Sequence, residues 1–203
     1  MFELSSYLEQ KNCKGDDALY VAKVDNAIWF CISDGAGGIA GAKEASNYIV
    51  EAFKDLANIE SYDSPDEFES FLRKLDLELS RESSCGEATA IVGKLDDTTI
   101  VGSSVGDSEA WIFNREHGYE LTSMQNLKPL LGSGIATPIG FGPMDVNNSV
   151  LLGSDGLFKY IKCEEMKSLL FSKTTAKEIA KLAKHDIGSL QDDISIIYIY
   201  KRA

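Results

Sequence analysis

Two short apolar runs, Ala18–Lys23 and Ala27–Ser33, are separated by Val24-Asp25-Asn26. Asp25-Asn26 is a turn pair, so the two runs predict a β-hairpin. The second run stops at Asp34-Gly35, and the period then changes. From Gly38 to about Ala57, the residues Ala42, Ala45, Ile49, Ala52, Phe53 and Leu56 share one helical face. Ser64-Pro65-Asp66-Glu67 is a helix start, with Ser as N-cap and Pro at N1. It leads Phe68, Phe71, Leu72, Leu75 and Leu79 along a second amphipathic stripe. After Cys85-Gly86 the period returns to two. Ala88–Leu95 and Thr98–Ser104 flank an Asp96-Asp97 turn, and Ala110–Asn114 and Tyr119–Thr122 flank His117-Gly118. Leu127 to Pro143, rich in Gly and Pro, predicts a loop. Ser149–Ser154 is an apolar strand ending at Asp155-Gly156. Cys163–Phe171 and Thr175–Lys184 are helical stretches, the latter capped by Thr174 or Thr175, and Ile194–Tyr200 is a last β-branched strand. Hairpins outnumber β-α-β crossovers in this order. It predicts an α+β fold with antiparallel sheets packed together and helices outside, rather than a doubly wound parallel sheet.

Composition narrows the class. A chain of 203 residues suits one well-packed domain, 1-203, and its 44% apolar and 26% charged content is globular. No window approaches the roughly 20 apolar residues of a membrane span. Met1-Phe2-Glu3-Leu4 lacks the basic start and long apolar stretch of a signal peptide, so the expected location is the cytoplasm. The formal net charge of -12 argues against a nucleic-acid partner and against a polybasic membrane anchor. Cys13, Cys31, Cys85 and Cys163 form no C-x-x-C pair, and His117 and His185 are the two histidines, a poor set for structural zinc. Cys31, inside an apolar run, reads as a buried reduced thiol.

The candidate chemistry lies in short acidic segments: Asp16-Asp17, Asp34-Gly35, Gly106-Asp107-Ser108, Ser154-Asp155-Gly156 and Asp192-Asp193. Each alone is an ordinary turn sequence. Jointly, Asp34, Asp107 and Asp155 each follow a run of apolar or small residues, and Asp192 precedes one. Converging strand ends would gather carboxylates that repel one another unless hard cations sit between them. The glycine-rich stretch after Asp34 is not a P-loop, because Ala42 separates Gly41 from Lys43 and Glu44 stands where Ser or Thr would ligate magnesium. It nearly fits a dinucleotide fingerprint, but Asp55 lies inside a helical pattern rather than at the end of a second strand.

From about Lys11 to Ile199 the chain resembles the metal-dependent serine/threonine protein phosphatases of type 2C, as a compact bacterial-type member. Asp34-Gly35-Ala36-Gly37-Gly38 looks like the family's D-G-x-G-G, and Gly86-Glu-Ala-Thr89-Ala90 like its G-T-T-A. Val105-Gly106-Asp107-Ser108 matches V-G-D-S, Leu152-Gly-Ser-Asp155-Gly156-Leu157 matches L-x-S-D-G-L, and Asp192-Asp193-Ile194-Ser195 looks like D-N-I-T. The resemblance implies a four-layer α-β-β-α sandwich of two antiparallel sheets flanked by helices. It implies two Mn2+ or Mg2+ ions between the sheets, with a third at Asp107. Asp34 would bridge both metals, Gly35 would ligate through its carbonyl, and Asp155 and Asp192 would hold the second metal. Asp17 would ligate directly or through water. A water shared by two cations is acidified and attacks phosphorus in line, so Asp34 and Asp155 would be catalytic through metal-bound water.

The chain also departs from the family. The Arg that grips substrate phosphate is replaced by Asn12, flanked by Lys11 and Lys14, and Lys lacks the bidentate fork of Arg. Ala36 and Ile39 stand where relatives carry a His able to protonate the leaving group. The Thr122–Gly140 stretch is short where relatives insert a flap, and Asp193 replaces an Asn. The leading expectation is a phosphatase of phosphoserine and phosphothreonine in proteins, with a cognate kinase as a natural partner. The alternatives are a pseudophosphatase acting as a regulatory binding module, and a metal-dependent hydrolase of small phosphoesters.

Overall fold

The structure is a computed structural model and describes residues 1–11, 15–58, 62–114, 116–161, 166–167, 170, 174–183 and 190–201. Its elements run β1 (Phe2–Glu9), β2 (Asp17–Val24), β3 (Ala27–Asp34), α1 (Ala42–Ala57), α2 (Pro65–Leu79), β4 (Ala90–Asp96), β5 (Thr99–Val105), β6 (Glu109–Phe113), β7 (Gly118–Glu120), β8 (Ile139–Asp145), β9 (Ser149–Gly153), α3 (Asp155–Phe158), α4 (Ala176–Leu182) and β10 (Ile194–Lys201). The strands form two five-stranded sheets, ordered β1-β10-β9-β6-β7 and β2-β3-β4-β5-β8. Every pairing is antiparallel.

Side-chain alternation along β3 explains the layering. Ile28, Phe30 and Ile32 point into a core shared with Ile100 of β5, Ile112 of β6, Leu152 of β9 and Ile197 of β10, so they lie between the sheets. Trp29 and Cys31 point the other way, against Ile49 and Phe53 of α1 and Phe68 and Leu72 of α2. On the second sheet, Leu151 of β9 and Ile196 and Tyr198 of β10 pack against Leu157 of α3 and Ile179 of α4. Strands covered on both faces are near-continuous apolar runs, as β3 and β10 are. Three cores between four layers give the α-β-β-α sandwich that the sequence implies. Burial pushes the Cys31 thiol up, in keeping with an inert core thiol. Among the described residues, no helix is long and apolar enough to cross a membrane.

Several elements differ from the sequence reading. α1 starts at Ala42 rather than Gly38, because Gly38 and Gly41 adopt left-handed backbone at φ 83° and 81°. Leu127 to Pro143 is not all loop: β8 begins at Ile139 and pairs with β5. A strand carrying Gly140, Gly142 and Pro143 is tolerated there because β8 is an edge, where a missing N–H costs no ladder bond. β1 is a further edge strand, which only the alternation of Phe2 and Leu4 foreshadows. Asp155 opens one turn of helix, an element the sequence reading did not assign. The predicted Asp25-Asn26 hairpin is present, with Val24 opposite Ala27 and Asp25 at φ 52°. So are the Ser64–Glu67 and Thr175–Glu178 capping boxes. Most of the Cys163–Phe171 stretch, Lys184, Cys13 and His185 lie outside the described residues.

One buried acid is structural. Asp76, on the inner face of α2 and 2% exposed, accepts hydrogen bonds from the backbone N–H groups of Gly132, Gly134 and Ala136 at 2.8–2.9 Å. It pins the segment before β8 to the helix. Asp76→Ala should destabilise the protein by about 3 kcal/mol, because three backbone donors lose a charged acceptor. Urea denaturation measures this, and a change below about 1 kcal/mol would show that the segment is held by other contacts.

Candidate metal centre

The hairpin register sets Asp17, the first residue of β2, directly opposite Asp34, the last of β3. Their neighbours hold them there. The Asp34 backbone N–H donates to Thr89 Oγ1 at 3.0 Å, Thr89 N–H donates back to the Asp34 carbonyl at 2.8 Å, and Thr89 Oγ1 lies 3.0 Å from Ser108 Oγ. The threonine of the G-T-T-A-like segment and the serine of V-G-D-S therefore stitch β3, β4 and the β5–β6 turn together. Gly35 N–H donates to the Asp16 carbonyl at 3.2 Å, and Ala36 N–H to the Glu87 carbonyl at 2.8 Å.

Asp155 and Asp192 approach from the other sheet, at the end of β9 and the start of β10. Gly156 keeps these two ends side by side: a Cβ there would lie 1.9 Å from the Asp193 carbonyl oxygen. Asp193 fastens the N-terminal segment beside them. Its Oδ1 accepts from Lys11 N–H at 2.7 Å, and its Oδ2 accepts from Asp16 N–H at 2.7 Å and Asp17 N–H at 3.4 Å. Both oxygens are acceptors, so an amide here would set one N–H donor against another. That gives the Asp in place of the family's Asn a physical reason.

These strand ends line a cavity of about 530 Å³. The predicted residues Asp34, Gly35, Asp107, Asp155 and Asp192 all line it, and so does Lys11. Asp17 does not; it is 5% exposed and sits behind Asp34. Asn12 and Lys14 lie outside the described residues. Ala36 and Ile39, at the positions of the missing histidine, also face the cavity. The sequence reading missed three further lining residues with charge, Glu87, Lys128 and Lys159, and named Asp16 and Asp193 in acidic segments without a role. Lys159 was detectable in principle, since it stands one helical turn after Asp155. Lys128 was not, because nothing local places its loop over the strand ends.

The electrostatics are those of crowded acids. Burial pushes the Asp34 carboxyl far above the usual carboxylate range, and the charges of Asp17, Asp155 and Asp192 push it further. Burial also raises Asp17. Ser154, Asp34 and Ser195 act in the opposite direction on Asp17, but none reaches hydrogen-bonding position: both Asp17 carboxylate oxygens and Ser195 Oγ are buried without a partner. Lys159 Nζ is paired with Asp155 Oδ2. Among the described residues, no three His, Cys, Asp or Glu side chains are already drawn together closely enough to hold one ion. The donor set nevertheless fits a hard divalent cation. It is all oxygen, it is shared between two sheets, and it includes a buried carboxylate whose lone pairs have no other use.

No protein-family model matches the chain, and no curated protein matches it. Solved structures do. A bacterial serine phosphatase superposes with a TM-score of 0.85 at 19% identity, covering 100% of this chain and 99% of its own. Serine/threonine phosphatase Stp1 from Staphylococcus aureus gives 0.84 at 19% identity, covering 100% and 96%. RsbX, solved in complex with magnesium, gives 0.75 at 18% identity, covering 98% and 94%. The resemblance carried by five short motifs thus extends to the whole fold, which is the fold these phosphatases share.

The crowding has a pH signature. A carboxyl with a higher pKa folded than unfolded binds more protons in the fold. Its contribution is complete below about pH 4, the unfolded value, and is lost as pH rises through the raised folded value. For chelator-treated protein, Asp34→Asn should therefore raise the melting temperature clearly at pH 8 and much less at pH 4. An equal shift at both pH values would argue against Asp34 as the crowded acid.

Proposed function

We propose that residues 1–203 form one catalytic domain, a metal-dependent phosphatase that hydrolyses phosphoserine and phosphothreonine in proteins. The observation that carries this reading is Asp17, buried with both carboxylate oxygens unpartnered, opposite Asp34 at the wall of an acidic cavity. The fold shared with a bacterial serine phosphatase, with serine/threonine phosphatase Stp1 and with RsbX, which was solved with magnesium, supports it.

Asp34, Asp155 and Asp192 are the ligands in reach from two sheets, with the Gly35 carbonyl beside them and Asp17 behind. Asp107, exposed at the rim, is placed for a further ion. Two Mn2+ or Mg2+ ions held here would supply an acidified water and neutralise charge on the phosphoryl oxygens. The chain's own residues do the rest. Thr89 and Ser108 fix the backbone that carries Asp34. Asp193 accepts from the backbone N–H groups of Lys11, Asp16 and Asp17, and Lys11 lines the cavity, although its ammonium also reaches the Gln191 carbonyl. Asn12 and Lys14 are the companions of Lys11 in sequence for meeting substrate phosphate. Among the described residues no histidine lines the cavity, and Ala36 and Ile39 offer no proton. Leaving-group protonation then falls to water, a loss of about 100-fold for alkyl phosphates.

The missing proton donor and the replaced arginine favour a second reading, a pseudophosphatase acting as a regulatory binding module in the cytoplasm. Purified protein should cleave a phosphothreonine peptide with added manganese, lose that activity in chelator, and turn over activated aryl phosphates faster. Asp155→Asn should lower the rate by about 100-fold or more with unchanged circular dichroism. Manganese binding without peptide cleavage would instead select the binding module. Preference for free phosphoamino acids over peptides would select a small-phosphoester hydrolase.

A further inference from the structure

A cavity lined by this many carboxylates repels a phosphate dianion even after two divalent ions are bound. Some protein cation has to face the phosphoryl oxygens. Three lysines line the cavity: Lys11, Lys128 and Lys159. The Lys11 ammonium is already bonded to the Gln191 carbonyl. Lys128 is exposed on the loop before β8. Lys159 is placed differently. It caps α3, its backbone N–H donates to the Asp155 carbonyl at 2.9 Å, and its ammonium pairs with the Asp155 carboxylate. It lines the same cavity as Asp155, Asp192 and Asp107. The side chain is 51% exposed, whereas Asp155 is 14% exposed, so the lysine has room to leave the pair and the carboxylate does not.

We propose that Lys159 is the residue that binds the substrate's phosphoryl oxygens, freed from Asp155 when divalent metal takes that carboxylate. The inference rests on the metal-dependent phosphatase reading. An ammonium and a metal ion compete for the same Asp155 oxygens, so loading the metal releases the lysine within one side-chain length of the same centre. There the phosphoryl group presents the next available anion. Lys159 thus takes the role of the arginine that Asn12 replaces. As a point charge rather than a fork it grips less rigidly.

The test uses the full chain and inorganic phosphate as the probe. Manganese binding is followed by electron paramagnetic resonance, and phosphate binding to the manganese-loaded protein by calorimetry. Lys159→Met should bind manganese at least as tightly as wild type and phosphate about tenfold or more weakly, the size of a hydrogen bond to a charged group. Lys159→Arg should retain most of the phosphate affinity, and Lys128→Met should lose less than Lys159→Met. Lys159→Gln provides the same readout should methionine disturb folding. Unchanged phosphate affinity in Lys159→Met, or an equal loss in Lys128→Met, overturns the assignment while leaving the metal reading intact. Failure of wild type to bind manganese overturns both.

Discussion

The structure turns on one pairing. The β2–β3 hairpin ends with Asp17 directly across from Asp34, and the layers around it leave Asp17 almost no water. Like charges at adjacent strand ends and low exposure are each unfavourable, and a fold that needed only stability would place apolar residues there. The surroundings instead hold the pair rigidly. Thr89 and Ser108 fix the Asp34 backbone, Asp193 holds the backbone of Asp17, and Gly156 lets the start of α3 pack against the Asp193 carbonyl beside β10. Under the proposed function, the term that would balance this charge arrangement is a cation.

The acids of this chain divide by what their oxygens do. Asp76 and Asp193 have their lone pairs filled by backbone N–H groups, three each, and they organise chain segments. Lys94, buried over Trp29, is met by Asp63 and Asp96 in a structural charge cluster far from the cavity. Asp17 alone among the buried acids has both oxygens empty among the described residues. Net charge does not separate these cases. Hydrogen-bond accounting does, which is why -12 by itself gave the sequence reading little about metal.

The legible part of the fold was the part governed by local rules. The β2–β3 turn residues, the Ser64 and Thr175 capping boxes and the amphipathic faces of α1 and α2 all fold as their sequences read. β8 was not legible, because glycine and proline suppress a strand signal that its edge position makes acceptable. β1 was faint for a related reason, with one face alternating and the other polar. In the cavity, the strand-end aspartates were legible through motif order. Glu87 and Lys128 were not, because they meet the others through tertiary packing between sheets and loops. Asp17 was found as a candidate, but its burial behind Asp34 depends on the hairpin register rather than on its motif.

The two departures from the family pattern call for different remedies. Ala36 and Ile39 line the cavity where the family pattern has a histidine, and Asn12 stands in place of the arginine. Lys159 enters the same cavity from α3, paired with Asp155. Under the proposed function a lysine there would answer the loss of positive charge, because a point charge can stand in for a guanidinium at lower rigidity. It would not answer the loss of the proton donor, because an ammonium engaged with phosphoryl oxygens is not held against the leaving group. Charge at the phosphate and a proton at the leaving group are separate requirements, and this cavity offers a protein side chain for the first alone among its described residues.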